Sequence, residues 1–237
     1  MKTTLIKSDT VAEGTMTFRF TKPEGFVYKA GQSIDLFLIN PPETDAEGDK
    51  RAYSLSSAPD DADLLIATRM RDTAFKRVLK SLPLGSELTL EGPFGDMTLH
   101  EDTKRPAIFL AGGIGITPFY SMARDATRNA LPHRIILFYS NRRPEDAAFL
   151  EELQSLSLQN KNFTFVGTMT DMEKSAETWT GERGYIDTTL LTKYVSLEDS
   201  PIFYMAGPPS MVSAMRTMLN DAGVSNDDIR TEEFTGY

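Results

Sequence analysis

The chain has 237 residues, of which 34 are acidic, 25 are basic, two are histidines and none is a cysteine. The lack of cysteine excludes disulfides, a thiolate nucleophile and a cysteine-ligated iron–sulfur cluster in this sequence, and two histidines are too few for a histidine-rich metal site. The net charge of −9 argues against a general nucleic-acid binder, and any redox chemistry would need a bound organic cofactor.

The first half, residues 1–102, has the pattern of a small antiparallel β barrel or sandwich. Short runs rich in β-branched and aromatic residues are separated by glycine and proline, which is typical of many short strands. One helix interrupts them at 74–82, with Thr73 as its N-cap and Pro83 after its end. The predicted strands are 15–20, 33–39, 52–57, 63–70 and 86–92.

In the second half, residues 103–237, strands alternate with helices. This alternation is typical of βαβ units and predicts a parallel sheet. Because the polar segment 101–106 separates the two patterns, we place the domain boundary after residue 102. The predicted strands are 107–111, 134–139, 163–169, 202–206 and 229–234, and the predicted helices are 117–129, 145–156, 188–194 and 209–221.

Two junctions in the second half have the composition of phosphate-binding turns. In AGGIGITP (111–118) three glycines follow a strand and open a helix, with Thr117 as the predicted cap, so backbone amides can approach an anion. YMAGPPSM (204–211) is a second such junction at the same carboxyl edge of the sheet, where α/β proteins bind ligands. Tight packing of the glycines and a plain proline-started helix are the alternative interpretations.

The segment RAYSLSSAP (51–59) contains three side chains suited to a cofactor. On an extended strand, Arg51 and Tyr53 share one face. Arginine can bind a phosphate through two N–H groups, tyrosine offers an aromatic wall, and Ser54 adds a hydroxyl. An edge strand with a solvated arginine is the alternative.

Together with GPFGD (92–96) and EEF (232–234), these segments resemble the ferredoxin–NADP⁺ reductase family. The resemblance lies in the order and spacing of the motifs, and it extends from about residue 5 to residue 237. The resemblance implies a flavin-binding antiparallel β-barrel followed by a Rossmann-like α/β domain whose parallel sheet binds NAD(P). The chain departs from the family at Ala206, where many relatives carry a cysteine beside the nicotinamide.

The resemblance also implies which residues bind the cofactors. Arg51 would hold the diphosphate of FAD, Tyr53 would pack against the isoalloxazine, and the start of helix 74–82 would present backbone amides to the diphosphate. The implied FAD-binding residues are Arg51, Ala52, Tyr53, Ser54, Thr68, Arg69, Thr73, Ala74, Phe75, Phe234 and Tyr237. The implied NAD(P)-binding residues are Gly112, Gly113, Gly115, Thr117, Gly207 and Pro208.

The donor nucleotide is a separate question. The segment YSNRR places Ser140, Arg142 and Arg143 where the ribose 2′ position should lie. NAD sites usually have an acidic side chain there, whereas a 2′-phosphate is bound by arginine, so the sequence favours NADPH. Two solvated arginines, with Glu145 or Asp146 as the ribose ligand, are the alternative.

The family resemblance gives catalytic roles to Ser54, which would hydrogen-bond near the reactive flavin nitrogen, to Glu232 beside it, and to Phe234, which would cover the flavin. Tyr237 would stack on the adenine, which favours FAD over FMN.

The sequence therefore predicts an FAD-dependent NAD(P)H oxidoreductase that passes electrons singly to a separate acceptor such as ferredoxin or flavodoxin. A flavin-binding electron-transfer or regulatory subunit of a larger complex is the alternative. We expect a cytoplasmic monomer that neither binds nucleic acid nor inserts into a membrane.

Overall fold

Two six-stranded sheets, one in each half of the chain, dominate the computed structural model, which describes residues 1–234. The first sheet contains β1 (Lys2–Ala12), β2 (Thr15–Thr21), β3 (Ser33–Phe37), β4 (Lys50–Ser54), β5 (Asp63–Arg69) and β6 (Glu87–Phe94). Its order is β4-β3-β6-β1-β2-β5, every pair is antiparallel, and the edge strands β4 and β5 contact each other. Phe18 and Phe20, alternate residues of β2, are fully buried inside this barrel-like sheet together with Phe75 of α1 (Ala74–Ser81).

The second sheet is parallel, as predicted. Its strands are β7 (Ala107–Gly112), β8 (Ile135–Asn141), β9 (Phe163–Met169), β10 (Glu182–Arg183), β11 (Ile202–Gly207) and β12 (Ile229–Glu233). The helices are α2 (Ile116–Arg128), α3 (Leu150–Gln159), α4 (Thr188–Tyr194) and α5 (Pro209–Asp221). Within residues 1–234, no helix is long and apolar enough to cross a membrane.

The strand order of the parallel sheet is β10-β9-β8-β7-β11-β12, with β7 fully buried between β8 and β11. The order reverses at β7, because the chain continues to β8 on one side and later returns to β11 on the other. Such a reversal opens a crevice at the carboxyl edge of the sheet, where ligands of open α/β folds bind. Both glycine-rich junctions end strands that flank this crevice.

Three elements differ from the sequence prediction. Strand β1 was not predicted, because its sequence KTTLIKSDTVA is mostly polar and buries only Thr3 and Leu5. Strand β10 is too short to show a pattern. Helix α3 begins at Leu150 and not at 145, because residues 144–146 form a separate 3₁₀ turn and Phe149 has a left-handed φ of 60°.

The predicted cap of helix α2 is also wrong. The helix begins at Ile116 with Gly115 as its N-cap, and the Thr117 hydroxyl lies inside the first turn, where it donates to the Ile114 carbonyl at 3.1 Å. The physical reason is that residues 113–115 form a 3₁₀ turn that runs directly into the helix. The N-cap of α1, by contrast, is Thr73 as predicted, since its side chain accepts from the Lys76 N–H.

The two halves are joined by a polar clamp around Asp61. Its carboxylate accepts hydrogen bonds from Arg124 at 2.5 and 3.2 Å and from Arg128 at 2.8 Å, both on α2, and from the Ala58 N–H at 2.9 Å. Burial alone would raise the pKa of Asp61, but the two arginines outweigh it and leave the pKa lowered. The clamp thus holds the barrel against α2.

We expect Asp61→Asn to reduce the free energy of unfolding by about 2 kcal/mol, because two guanidinium groups lose a charged, nearly buried acceptor. Urea unfolding of the two proteins measures the difference. Asp60→Asn is the matched control, because Asp60 is exposed and, within residues 1–234, its carboxylate accepts one side-chain hydrogen bond, from the Asn129 amide. Its effect should stay within about 0.5 kcal/mol. Equal losses in both variants would contradict the clamp.

Candidate functional site

Two adjoining pockets open where the carboxyl edge of the parallel sheet meets the barrel. The sheet-edge pocket, lined by the ends of β7 and β8 and the start of α5, has a volume of about 680 Å³. The barrel pocket, lined by β4, β5, the first turn of α1 and the end of β12, has a volume of about 470 Å³. Arg69 and Arg71 line both. Both volumes are in the range of small-molecule sites.

Most residues predicted from the two glycine-rich junctions surround the sheet-edge pocket. Gly112, Gly113 and Pro208 line it directly. A Cβ atom on Gly112 would overlap the Met211 sulfur and lie 3.1 Å from Pro208 Cδ, so only glycine lets α5 approach the end of β7 this closely. Gly207 lies against Gly112 in the same way, with a Cβ position 3.2 Å from the Gly112 backbone.

Gly115 and Thr117 have different surroundings from those predicted. A Cβ atom on Gly115 would collide with the Ala206 carbonyl and lie 2.6 Å from the Gly207 nitrogen, so this glycine serves the packing of α2 against β11. Thr117 lines the barrel pocket and not the sheet-edge pocket. The contacts of Gly115 therefore agree with the alternative interpretation, in which this glycine is needed for tight packing.

Arg142 and Arg143 are adjacent in the chain but have different surroundings. Arg143 donates to the buried Asp146 carboxylate at 2.9 Å and to Glu13 at 2.7 Å, and its hydrogen bonds lower the pKa of Asp146. Arg142 is exposed and lines the sheet-edge pocket beside Ser140. Of the two arginines, Arg142 is thus the one placed to contact a ligand.

Glu145 and Asp146, the two acidic side chains considered as alternative ribose ligands, are hydrogen-bonded to other groups of the protein. The Glu145 carboxylate accepts from the Ser175 hydroxyl at 2.8 Å and from the Ala176 N–H at 2.8 Å, which holds the loop after β9. Asp146 lines the sheet-edge pocket, but Arg143 occupies both of its oxygens.

The barrel pocket gathers nearly all the residues that the resemblance assigned to FAD. Ala74 and Phe75 are buried in the first turn of α1, next to this lining, and Tyr237 lies outside the described residues. The predicted residues that line the pocket are Arg51, Ala52, Tyr53, Ser54, Thr68, Arg69, Thr73, Glu232 and Phe234.

One wall of the barrel pocket is strongly cationic. The Arg51 guanidinium lies 5.1 Å above the Phe75 ring, and Lys76 Nζ donates to the Arg69 carbonyl at 2.7 Å. Burial, with Arg71 and Arg51 nearby, lowers the pKa of Lys76 to about 8. Such a wall favours a bound anion.

Sequence reasoning missed Lys76 and Arg71, which share this wall with the predicted residues. The one available signal for Lys76 was its place in the first turn after the Thr73 cap. Nothing in the sequence indicated Arg71, which reaches the pocket because of the course of the loop after β5.

Ser54 and Glu232 meet at the inner end of the barrel pocket, although 178 positions separate them in the chain. The Ser54 hydroxyl donates to Glu232 Oε1 at 3.1 Å, and Oε2 is buried without a hydrogen-bond partner among residues 1–234. Burial raises the pKa of Glu232, and the nearby Asp96 adds to the rise. The pair can therefore hold or exchange a proton with a ligand in the pocket.

Phe234 lies half-buried beside this pair. Its backbone N–H donates to the Gly207 carbonyl at 3.0 Å, which ties the end of β12 to the junction before α5. Its side chain lines the barrel pocket and packs against the core of the second half. Phe234 therefore lines the barrel pocket while its backbone is held by the junction before α5.

Comparison with known proteins agrees with this arrangement. Residues 109–217 match the family model of the oxidoreductase NAD-binding domain. The fold is similar to that of a ferredoxin NADP⁺ reductase from Neisseria gonorrhoeae with bound FAD and NADP, with a TM-score of 0.78 and 24% identity over 98% of both chains. Residues 109–217 thus form an oxidoreductase NAD-binding domain, and the chain as a whole has the fold of a ferredoxin–NADP⁺ reductase.

Two further proteins are similar to the chain. The FAD/NAD-binding domain of a nitric oxide dioxygenase from Vibrio cholerae has a TM-score of 0.83 and 19% identity, again over 98% of both chains. The chain is 31% identical over 201 residues to one subunit of the Na⁺-translocating NADH-quinone reductase of Serratia proteamaculans, covering 78% of this chain and 49% of that protein. The chain thus spans about half the length of this curated relative.

The barrel pocket fits FAD chemically. The diphosphate of FAD is an anion that guanidinium groups and the first turn of a helix can bind, and Arg51 and α1 provide both. Arg69 Nε is buried without a hydrogen-bond partner in the part of the chain that the structure describes, so a donor is available to a ligand. Ser54 and Glu232 line the same pocket as the cationic wall.

Proposed function

We propose that the chain is an FAD-dependent NAD(P)H oxidoreductase that transfers electrons singly to a separate acceptor such as ferredoxin or flavodoxin. When bound, FAD supplies the chemistry that accepts a hydride from a nicotinamide and releases electrons one at a time. The observation that carries the proposal is the Ser54–Glu232 hydrogen bond, which lies with Phe234 in the lining of the barrel pocket, next to a second pocket at the edge of the parallel sheet. The protein is expected to work in the cytoplasm.

In this proposal each group of residues has a physical task. The cationic wall and the first turn of α1 bind the diphosphate, and the glycine-rich edge with Pro208 binds the donor nucleotide. Ser54 and Glu232 hold a proton beside the reacting ring system. Phe234 shields this ring system from water until a nicotinamide displaces the side chain, since an aromatic stack contributes only about 0.5–1.5 kcal/mol beyond burial.

A second candidate function is that of an electron-input module in a larger complex. The curated relative from Serratia proteamaculans is one subunit of a Na⁺-translocating NADH-quinone reductase, and the chain covers 49% of it. Ala206, at the end of β11, supports this candidate because the family often has cysteine there. A module of this kind would turn over slowly until its partner is present.

The test begins by purifying the chain and identifying the flavin extracted from it, which we expect to be FAD. Mixing with NADH or NADPH without oxygen should bleach the flavin absorbance, and an added one-electron acceptor should restore it. Rapid bleaching with reduction of ferredoxin or flavodoxin supports the first candidate. Rapid bleaching with neither carrier reduced supports the second, and a protein that retains no flavin contradicts both.

We expect the donor to be NADPH, bound through Arg142. Arg142→Ala should lower kcat/KM for NADPH by about 10-fold, because a charge-assisted contact to the 2′-phosphate is lost, and should leave kcat/KM for NADH unchanged. Steady-state kinetics with both donors measures this, and NADH serves as the internal control. A preference for NADH that Arg142→Ala does not alter would refute the expectation.

A further inference from the structure

The acidic loop, residues 43–49, places a carboxylate at the anion site of the barrel pocket. Asp45 Oδ2 accepts from the backbone N–H of Ala74 at 2.9 Å, and Asp45 Oδ1 pairs with the Arg51 guanidinium at 3.3 Å. A helix N-terminal amide and an arginine are the donors that a diphosphate would use. The Ala74 N–H lowers the pKa of Asp45, so the carboxylate is charged near neutral pH.

The remaining donors of Arg51 also turn toward the acidic loop. Arg51 donates to the Glu47 carbonyl at 3.0 Å and to the Gly48 carbonyl at 3.3 Å, and it pairs with Glu47 Oε2 at 2.8 Å. The Arg51 side chain is 16% exposed, so these loop groups take the place of solvent around it. Arg51 also lines the barrel pocket, so a phosphate there would compete with these loop groups for the guanidinium.

The acidic loop is nevertheless weakly attached. The Glu47 side chain is 70% exposed, and Arg77 on α1 donates to both oxygens of the exposed Glu43 carboxylate, at 3.0 and 2.6 Å. Solvent reaches both pairs and screens them, which limits their contribution to stability. The diphosphate of FAD carries about two negative charges, as many as Asp45 and Glu47 together, so it can compete for Arg51 and the start of α1.

We propose that Asp45 is an internal occupant of the diphosphate site, and that FAD must displace the acidic loop in order to bind. The inference rests on the proposed function in one respect, the binding of FAD at Arg51 and α1. Its consequence is that the loop sets both the affinity for the flavin and the rate of loading.

The test compares flavin-stripped full-length protein with two variants, through the quenching of FAD fluorescence on binding. Asp45→Ala should bind FAD about 3- to 10-fold more tightly and load it faster. This range corresponds to the loss of one helix-capping hydrogen bond, between Asp45 and the Ala74 N–H, that competes with the diphosphate. Asp49→Ala is the matched control, because it removes the same charge from the same loop, and its carboxylate contacts neither Ala74 nor Arg51 in the described structure. Its affinity and loading rate should equal those of the wild type.

A second measurement separates this inference from the proposed function. Inorganic diphosphate should raise the Tm of Asp45→Ala more than that of the wild type, whether or not FAD binds. Thr73 still caps α1 in the variant, so the helix is expected to remain. Weaker or unchanged FAD binding in Asp45→Ala would overturn the inference, as would an equal response of both proteins to diphosphate. Failure of the wild type to bind FAD would refute the proposed function alone.

Discussion

Glu232→Gln is expected to slow reduction of the bound flavin by about 100-fold, with the FAD content unchanged. Glu232 is partly buried, burial raises its pKa, and its carboxylate accepts a hydrogen bond from the Ser54 hydroxyl at 3.1 Å. Glutamine keeps the shape and one acceptor but cannot hold or release a proton. Stopped-flow absorbance under saturating NADPH measures the rate directly.

Glu233→Gln is the control, because Glu233 lines the same pocket on the same strand, but it is exposed and its carboxylate does not contact Ser54 among the described residues. It should change the rate by no more than about twofold, since a surface charge is screened by solvent. Ser54→Ala should slow the reaction as Glu232→Gln does, and the double variant should be no slower than the slower single one. Equal rates in Glu232→Gln and the wild type would contradict a proton-holding role.

Gly115→Ala is expected to lower the free energy of unfolding by more than about 3 kcal/mol. The new methyl group would collide with the Ala206 carbonyl and lie 2.6 Å from the Gly207 nitrogen. These are backbone atoms at the end of β11, held between β7 and β12, so they cannot move aside as a flexible side chain does. Urea unfolding should show the loss, and nucleotide binding should weaken because the Gly207 junction shifts.

Gly25→Ala provides the comparison. Gly25 has a φ of 73° and nothing within 4 Å of its Cβ position, so alanine there costs only the left-handed backbone conformation, about 1 kcal/mol. A loss in Gly115→Ala no larger than in Gly25→Ala would show that β11 and α2 can separate without strain.

The sequence by itself determined the two sheets and their order along the chain. Period-two alternation of Phe18 and Phe20 and the uninterrupted apolar run of β7 reflect local backbone geometry and burial, which a linear pattern records. The same holds for Thr73, whose capping hydrogen bond reaches only three residues along the chain. The spacing of the motifs was enough to indicate the family.

Only the tertiary structure decided which residues face the ligand sites. Arg142 and Arg143 are adjacent and chemically identical, yet one faces the sheet-edge pocket and the other pairs with Glu13, which is 130 positions away. Asp45 reaches the start of α1 across 29 positions. Such contacts depend on how distant segments are brought together, and hydrophobic periodicity carries no information about the partner of a polar side chain. The strand pattern is a local property of the chain, whereas the site is a property of its packing.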